Sequence, residues 1–161
     1  MSILSILGIM ALLVGVDQLT KLLVQLNLWD GSPLTVIPHI LQFRFIENTG
    51  AAFSMFSGKT FLLGLFTGIL IAVGLYLLLS KSISGKLNNV ALLLIVSGGT
   101  GNLIDRVARH SVVDFIEFTF VDFAVFNFAD ICVTTGAILL MISILFGKNS
   151  DSDDGGIGHG K

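Results

Sequence analysis

Two aspartates of this sequence stand where a carboxylate needs either a partner or a chemical task. Asp130 opens the apolar stretch "FNFADICVTTGAILL", and Asp114 lies sixteen residues earlier in "VVDF". An ionised carboxylate at the edge of apolar surroundings is costly unless it is compensated. Two carboxylates that share one proton can act as acid and base, so the two aspartates are candidates for a catalytic pair. The spacing excludes neighbouring positions on one helix but allows a loop to bring the two together. A helix cap at Asp130 and a solvent-facing Asp114 are alternatives that the spacing leaves open.

Further polar residues gather beside other apolar stretches. Asp17 and Lys21 are four residues apart, so on a helix they share a face and can pair. Polar side chains also end or open the later apolar stretches: Asn102, Asp105, Arg106 and Asn127. Pairs of this kind often act as structural clamps, with asparagines as hydrogen-bonding supports. The spacing therefore leaves both a packing role and a functional site open.

The composition indicates a membrane protein. Of 161 residues, 53% are hydrophobic and only 12% are charged, whereas soluble domains have about 25% charged residues. A net charge of −2 without a basic cluster argues against a nucleic-acid partner. Cys132 is the single cysteine, which excludes an intramolecular disulfide. The three histidines (His39, His110 and His159) are far apart in sequence, so we expect neither a metal site nor a cofactor.

Four stretches lack charged side chains and are candidates for membrane spans: Met1–Val16, Thr60–Ser80, Leu87–Ile104 and Ile131–Gly147. A helix crosses the hydrocarbon with roughly 20 residues, and some spans are shorter. The first stretch has no basic start or small-residue cleavage site, so we expect a retained helix rather than a signal peptide. Four spans place both termini on one side. If Lys21 and Arg106 face inward, the remaining lysines and arginines favour cytoplasmic termini, with the polar cluster near the extracytoplasmic face.

The connections between the spans predict short strands. "LTVIPHILQFRFIEN" has β-branched and aromatic residues in partial alternation, and "RVARHSVVDFIEFTFVDFAVFNFAD" has a similar composition. The predicted fold is therefore a membrane all-α core of four transmembrane helices with a small β element. We expect one domain over residues 1–147 and a disordered polar tail over 148–161. The glycines of "GGTGNLID" are expected to let helices approach closely.

Five blocks, taken together, resemble the signature of the lipoprotein signal peptidase (signal peptidase II) family: "DQLTK", "ENTGAAFSMF", "GGTGNLIDR", "VVDFIEF" and "FNFAD". They occur in that family's order and cover roughly residues 10 to 145. The resemblance implies a bacterial membrane aspartic endopeptidase that removes the signal peptide from prolipoproteins, before a cysteine that carries diacylglycerol. It assigns catalysis to Asp114 and Asp130. It assigns supporting or substrate-binding roles to Asp17, Lys21, Asn48, Gly50, Asn102, Asp105, Arg106, Asn127 and Ala129.

The resemblance also implies an extracytoplasmic β-cradle on the membrane, at about residues 26–58, and an active-site loop at 106–127. Leu34–Ile46 and Gly50–Ser57 would supply most of the cradle. The implied partners are diacylglyceryl-modified prolipoproteins and membrane lipid, and a monomer is compatible with the sequence. From the residues alone, two other classes remain: a membrane scaffold or chaperone that uses the polar cluster only for packing, and a small transporter. A transporter would place its charges along a path near mid-membrane rather than at one interface.

Overall fold

Four long apolar helices dominate the computed structural model, which describes residues 2–50 and 58–146. Within these ranges the elements follow in the order α1 (Ile3–Leu28), β1 (Leu34–Ile37), β2 (Leu41–Asn48), α2 (Thr60–Leu79), α3 (Lys86–Arg109), β3 (Val112–Phe118) and α4 (Phe128–Phe146). All four helices are long and apolar enough to cross a membrane. The predicted fold class, a four-helix membrane core with a small β element, is confirmed.

Helix α1 extends beyond the uncharged stretch that predicted it. Ser2 caps its start, because the Ser2 hydroxyl accepts a hydrogen bond from the backbone N–H of Ser5 at 3.1 Å. The helix continues past the predicted end at Val16 to Leu28. Asp17 and Lys21 therefore lie within the helix, and both are buried.

Helix α3 is the centre of the helical bundle and contacts the other three helices. In its most apolar 18-residue stretch, half of the residues are buried, compared with 11% to 17% in the corresponding stretches of the other helices. Two glycines make this packing close: a Cβ at Gly98 would collide with the carbonyl oxygen of Ala129, and a Cβ at Gly101 would collide with the carboxylate of Asp17. The expectation that the glycines of "GGTGNLID" allow close helix approach is borne out at these two positions.

The three strands of the described residues form one antiparallel sheet in the order β1-β2-β3. Strand β3 comes from the connection between α3 and α4, so the sheet joins the two connections in which strands were predicted. The register places Asp114 opposite Ile46, next to an irregularity between Phe43 and Ile46. Residues 51–57, which form most of the predicted Gly50–Ser57 cradle segment, lie outside the described residues, as does the predicted tail.

Candidate active site

Asp114 and Asp130 line the same cavity, which has a volume of about 490 Å³. Asp114 lies in β3 with only 3% of its surface exposed, and Asp130 lies in the first turn of α4. Asn48, Asn102 and Arg106 contribute polar groups to the same cavity, and the rest of its wall is mainly apolar. The fold thus brings two carboxylates from separate segments to the wall of one partly enclosed cavity.

Asn127 connects the two carboxylates. Its side-chain Nδ2 donates to Asp114 Oδ1 at 2.7 Å, and its backbone N–H donates to Asp130 Oδ2 at 3.1 Å. In return, the backbone N–H of Asp130 donates to Asn127 Oδ1 at 2.9 Å. The two reciprocal bonds between Asn127 and Asp130 form a capping box at the start of α4. Asp130 is therefore part of a helix cap and also faces the cavity, so the two interpretations left open by the sequence are compatible.

The remaining carboxylate oxygens are held by two further asparagines. Asn48 Nδ2 donates to Asp114 Oδ2 at 2.9 Å, and Asn102 Nδ2 donates to Asp130 Oδ1 at 2.8 Å. Each of the four oxygens accepts at least one N–H. This fixes the orientation of both carboxylates and leaves each oxygen a further lone pair for a proton or a water molecule.

Lys21 is completely buried and forms the centre of a second polar group behind the two aspartates. Its Nζ lies 2.9 Å from Asp17 Oδ2, 2.9 Å from Asp105 Oδ2 and 2.9 Å from Asn102 Oδ1. These three acceptors match the three N–H donors of an ammonium group. Asp17 Oδ1 also accepts the backbone N–H of Ala129 at 2.9 Å. The network thus joins α1, α3 and α4, and it reaches Asp130 through Asn102.

Asp105 pairs with Lys21 rather than with Arg106, its neighbour in sequence. Arg106 instead donates through Nη2 to the carbonyl oxygen of Gly50 at 3.4 Å, and the Gly50 N–H donates to Asn48 Oδ1 at 2.9 Å. Arg106 Nε is buried without a hydrogen-bond partner among the described residues. Arg106 therefore holds the chain just after β2 beside the cavity, and within residues 2–50 and 58–146 its Nε–H remains an unused buried donor.

Gln18 belongs to this network and was missed by the sequence analysis. Its Nε2 lies 3.1 Å from Asp17 Oδ2, 3.1 Å from the carbonyl oxygen of Gly101 and 3.3 Å from Asp105 Oδ1. The only signal in the sequence is its place inside "DQLTK". Its contacts with Gly101 and Asp105 depend on the close approach of α3, which helix periodicity does not predict.

Burial raises the pKa of Asp114 to about 6. The hydrogen bond from Asn48 opposes this shift, whereas the negative charge of Asp130 adds to it. Asp114 consequently holds a proton over a pH range in which an ordinary aspartate is ionised. Within the described part of the chain, no group of three or more His, Cys, Asp or Glu side chains is arranged to hold a metal ion.

Comparisons with known proteins agree with this arrangement. The family model described as signal peptidase (SPase) II matches residues 9–146. The lipoprotein signal peptidase of Clostridioides difficile (strain 630) is 36% identical over 138 residues, which cover 86% of this chain and 93% of that protein. The lipoprotein signal peptidase of Latilactobacillus sakei subsp. sakei (strain 23K) is 38% identical over 148 residues, 92% and 97% of the two chains. A bacterial membrane enzyme solved by the in meso method aligns with a TM-score of 0.86 and 31% identity, over 96% of each chain.

Proposed function

We propose, given that the chain belongs to the signal peptidase II family, that it is an aspartic endopeptidase that removes the signal peptide from diacylglyceryl-modified prolipoproteins. Cleavage would occur just before the lipidated cysteine, without a metal ion. The observation that carries the proposal is the pair of carboxylates, Asp114 and Asp130, which line one cavity and are both hydrogen-bonded by Asn127. The remaining residues of the motif blocks would support this pair rather than react.

The proposed reaction uses the two carboxylates as one unit that shares a single proton. The ionised carboxylate takes a proton from water as the water oxygen bonds to the scissile carbonyl carbon, and the protonated carboxyl donates a hydrogen bond to the carbonyl oxygen. A proton then passes to the leaving nitrogen as the C–N bond breaks. The raised pKa of Asp114 favours it as the holder of the shared proton before substrate binds, with Asp130 as the base. Because the pair titrates together, its kinetic pKa values describe the dyad as a whole.

The other polar residues would position the dyad. Asn48, Asn102 and Asn127 hold the carboxylate oxygens, while Lys21 is buried outside the cavity wall and is linked to Asp130 by hydrogen bonds through Asn102. Arg106 lines the cavity and would be the cationic group nearest the substrate. Lys21 would therefore be a positioning residue.

The proposed placement is a multi-pass protein of the bacterial cytoplasmic membrane, with cytoplasmic termini and the dyad near the extracytoplasmic face. The polar residues lie at the end of α3 and the start of α4, so they gather at one end of the bundle. This distribution argues against the charged path that a transporter would need. The sheet β1-β2-β3 adjoins the same end, in agreement with the proposed extracytoplasmic cradle.

The test is cleavage of a purified diacylglyceryl-modified prolipoprotein and of its unlipidated twin, with and without a chelator. The protein should release the signal peptide from the lipidated form only, and the chelator should have no effect. Asp114→Asn and Asp130→Asn should each lower the rate at least about 100-fold, the usual contribution of a general acid or base. Asp122→Asn changes an exposed aspartate of the same connection and should retain full activity. Normal cleavage by either dyad variant would refute the assignment and favour a non-catalytic scaffold.

A further inference from the structure

A second groove lies between α2 and α3, separate from the cavity that holds the two aspartates. Its volume is about 620 Å³, and its wall is mainly apolar, with Gly64 and Gly68 on one side and Leu103 and Val107 on the other. Polar groups occur at one end only, where α2 begins and α3 ends: Thr60, Arg106 and His110. This is the end of the bundle at which the dyad lies.

The dimensions of the groove suit one lipid chain. Along α2 it extends from Thr60 to Ala72, and at a rise of about 1.5 Å per residue these twelve steps correspond to roughly 18 Å. The hydrocarbon core of a bilayer is about 30 Å thick, so the groove spans little more than one leaflet. A spanning signal helix would extend well beyond it, whereas an acyl chain that starts at the polar end would fit within it.

Two glycines one helical turn apart keep the groove open. A Cβ at Gly64 would lie 3.7 Å from Leu103 Cδ1, and a Cβ at Gly68 would lie 3.8 Å from Leu103 Cδ2. These distances are ordinary van der Waals contacts, in contrast to the collisions at Gly98 and Gly101. Glycine is therefore not required at positions 64 and 68 for the helices to pack. Its effect there is to leave space that a larger side chain would fill.

Arg106 connects the groove to the dyad, because its side chain lines both spaces. One of its N–H groups bonds to the Gly50 carbonyl, while Nε is buried and has no partner within the described ranges. A buried donor without a partner is costly. A neutral acceptor at the junction of the two spaces, such as an ester carbonyl, would remove that cost.

We propose that this groove binds one acyl chain of the diacylglyceryl group on the substrate cysteine, and so contributes to the choice of lipidated substrates. The inference rests on the proposed function. In that reaction the lipidated cysteine directly follows the scissile bond, so its glyceryl esters lie a few covalent bonds from the peptide bond on which Asp114 and Asp130 act. The acyl chains must then leave the cavity towards the outer leaflet, where the groove begins at Arg106. Bilayer lipid is as apolar as the groove wall, so moving the acyl chain into the groove gains little hydrophobic free energy. The increase in kcat/KM therefore comes from packing of the chain in the groove and from orientation of the scissile bond.

The experiment compares two prolipoprotein peptides that differ only in their acyl chains, one dipalmitoyl and one dibutanoyl. The unmodified protein should prefer the long chains by about tenfold in kcat/KM, a fraction of the roughly 100-fold effect of a 1 Å misplacement of reacting atoms. Gly68→Leu should abolish this preference by raising KM for the long-chain substrate only, with the unfolding temperature unchanged. Gly64→Leu, one turn nearer the dyad, is a second variant. Gly8→Leu is the matched control, because an added Cβ there meets nothing within 4 Å.

Retention of the chain-length preference in both groove variants would overturn the inference, as would an equal loss for both substrates. If native mass spectrometry shows a bound phospholipid that Gly68→Leu removes while the preference persists, the occupant is a bilayer lipid and the inference is wrong. Equal cleavage of the long-chain and short-chain substrates by the unmodified protein would refute acyl-chain binding in the groove but leave the proposed function intact. Cleavage of neither substrate would refute both.

Discussion

Replacing Lys21 by methionine tests whether the polar network behind the dyad stabilises the helix bundle. The ammonium group has no exposed surface, and it contacts Asp17, Asp105 and Asn102, each at 2.9 Å. Methionine has a similar length but no charge, so the substitution leaves two buried carboxylates without their shared cation. Lys21→Met should therefore both destabilise the protein and disturb Asn102, which holds Asp130.

The expected loss of stability follows from the burial of Lys21 together with Asp17 and Asp105. Removal of one partner of a buried ion pair typically costs about 3–5 kcal/mol. In a domain of this size, 1 kcal/mol corresponds to roughly 2–4 °C in Tm, so the decrease should be about 10 °C. If the loss arises from uncompensated charge, a variant that also carries Asp17→Asn and Asp105→Asn should recover much of it.

Cys132 provides the assay, because it is the only cysteine of the chain and only 5% of its surface is exposed. A thiol-reactive fluorophore in detergent will label it as the protein unfolds, so the labelling temperature reports stability. Lys86→Met, which changes an exposed lysine at the start of α3, is the control and should leave the labelling temperature unchanged. A Lys21→Met protein that unfolds within about 2 °C of the unmodified one would refute the reasoning, since so small a decrease implies well under 2 kcal/mol.

Two further predictions concern the dyad and the packing around it. The pKa of Asp114 is raised to about 6, so if the pair shares one proton, that proton is lost as the pH rises past this region and kcat/KM should fall on the alkaline side. Asn48→Ala removes a hydrogen bond that lowers this pKa, so it should move the midpoint of the pH–rate profile upward, and an unchanged midpoint would contradict the assigned contact. Gly101→Ala should cost about 1–3 kcal/mol, because the added methyl group collides with the Asp17 carboxylate. Gly64→Ala on α2 makes only ordinary contacts, and the same thermal assay should show little change; equal stabilities of the two variants would argue against the close packing at Gly101.

The four helices and the two aspartates of the dyad were predictable from the sequence for different reasons. Long uncharged stretches predict membrane helices, since charge is costly in hydrocarbon regardless of the details of packing. Asp114 and Asp130 were identified through motif blocks, because their spacing alone allows but does not require a meeting. The strands of both connections were also predicted, but their pairing was not. Antiparallel pairing of β2 with β3 depends on contacts about 70 residues apart in sequence, such as Gln42 with Glu117.

Within the polar network the Asp17–Lys21 pair was predictable from its spacing of four residues, whereas the pairs between helices depend on helix approach. Asp105 and Arg106 are neighbours in sequence, yet Asp105 bonds to Lys21 of another helix. Gln18 reaches the Gly101 carbonyl only because residue 101 has no side chain to hold the helices apart. The groove between α2 and α3 could not be predicted either, since glycines in an apolar span can indicate tight helix packing as well as open space. The difference lies in the packing: a Cβ at Gly68 would make only an ordinary contact, whereas a Cβ at Gly98 would collide with the Ala129 carbonyl oxygen.

The start of α4 explains how one set of hydrogen bonds can both cap a helix and prepare a dyad. The first N–H groups of a helix have no partner within it, and here Asp17 accepts the N–H of Ala129 while Asn127 accepts that of Asp130. The same end of the helix favours negative charge through its macrodipole. Asp130 lies in this first turn, whereas Asp114 lies on a strand that offers no comparable field and is buried to 3% exposure. Two carboxylates of the same residue type are thereby given different surroundings, which in the proposed mechanism would favour Asp130 as the base and Asp114 as the holder of the proton. Because this asymmetry depends on the helix end, loss of the Asn127 cap should impair the chemistry even where the bundle remains folded.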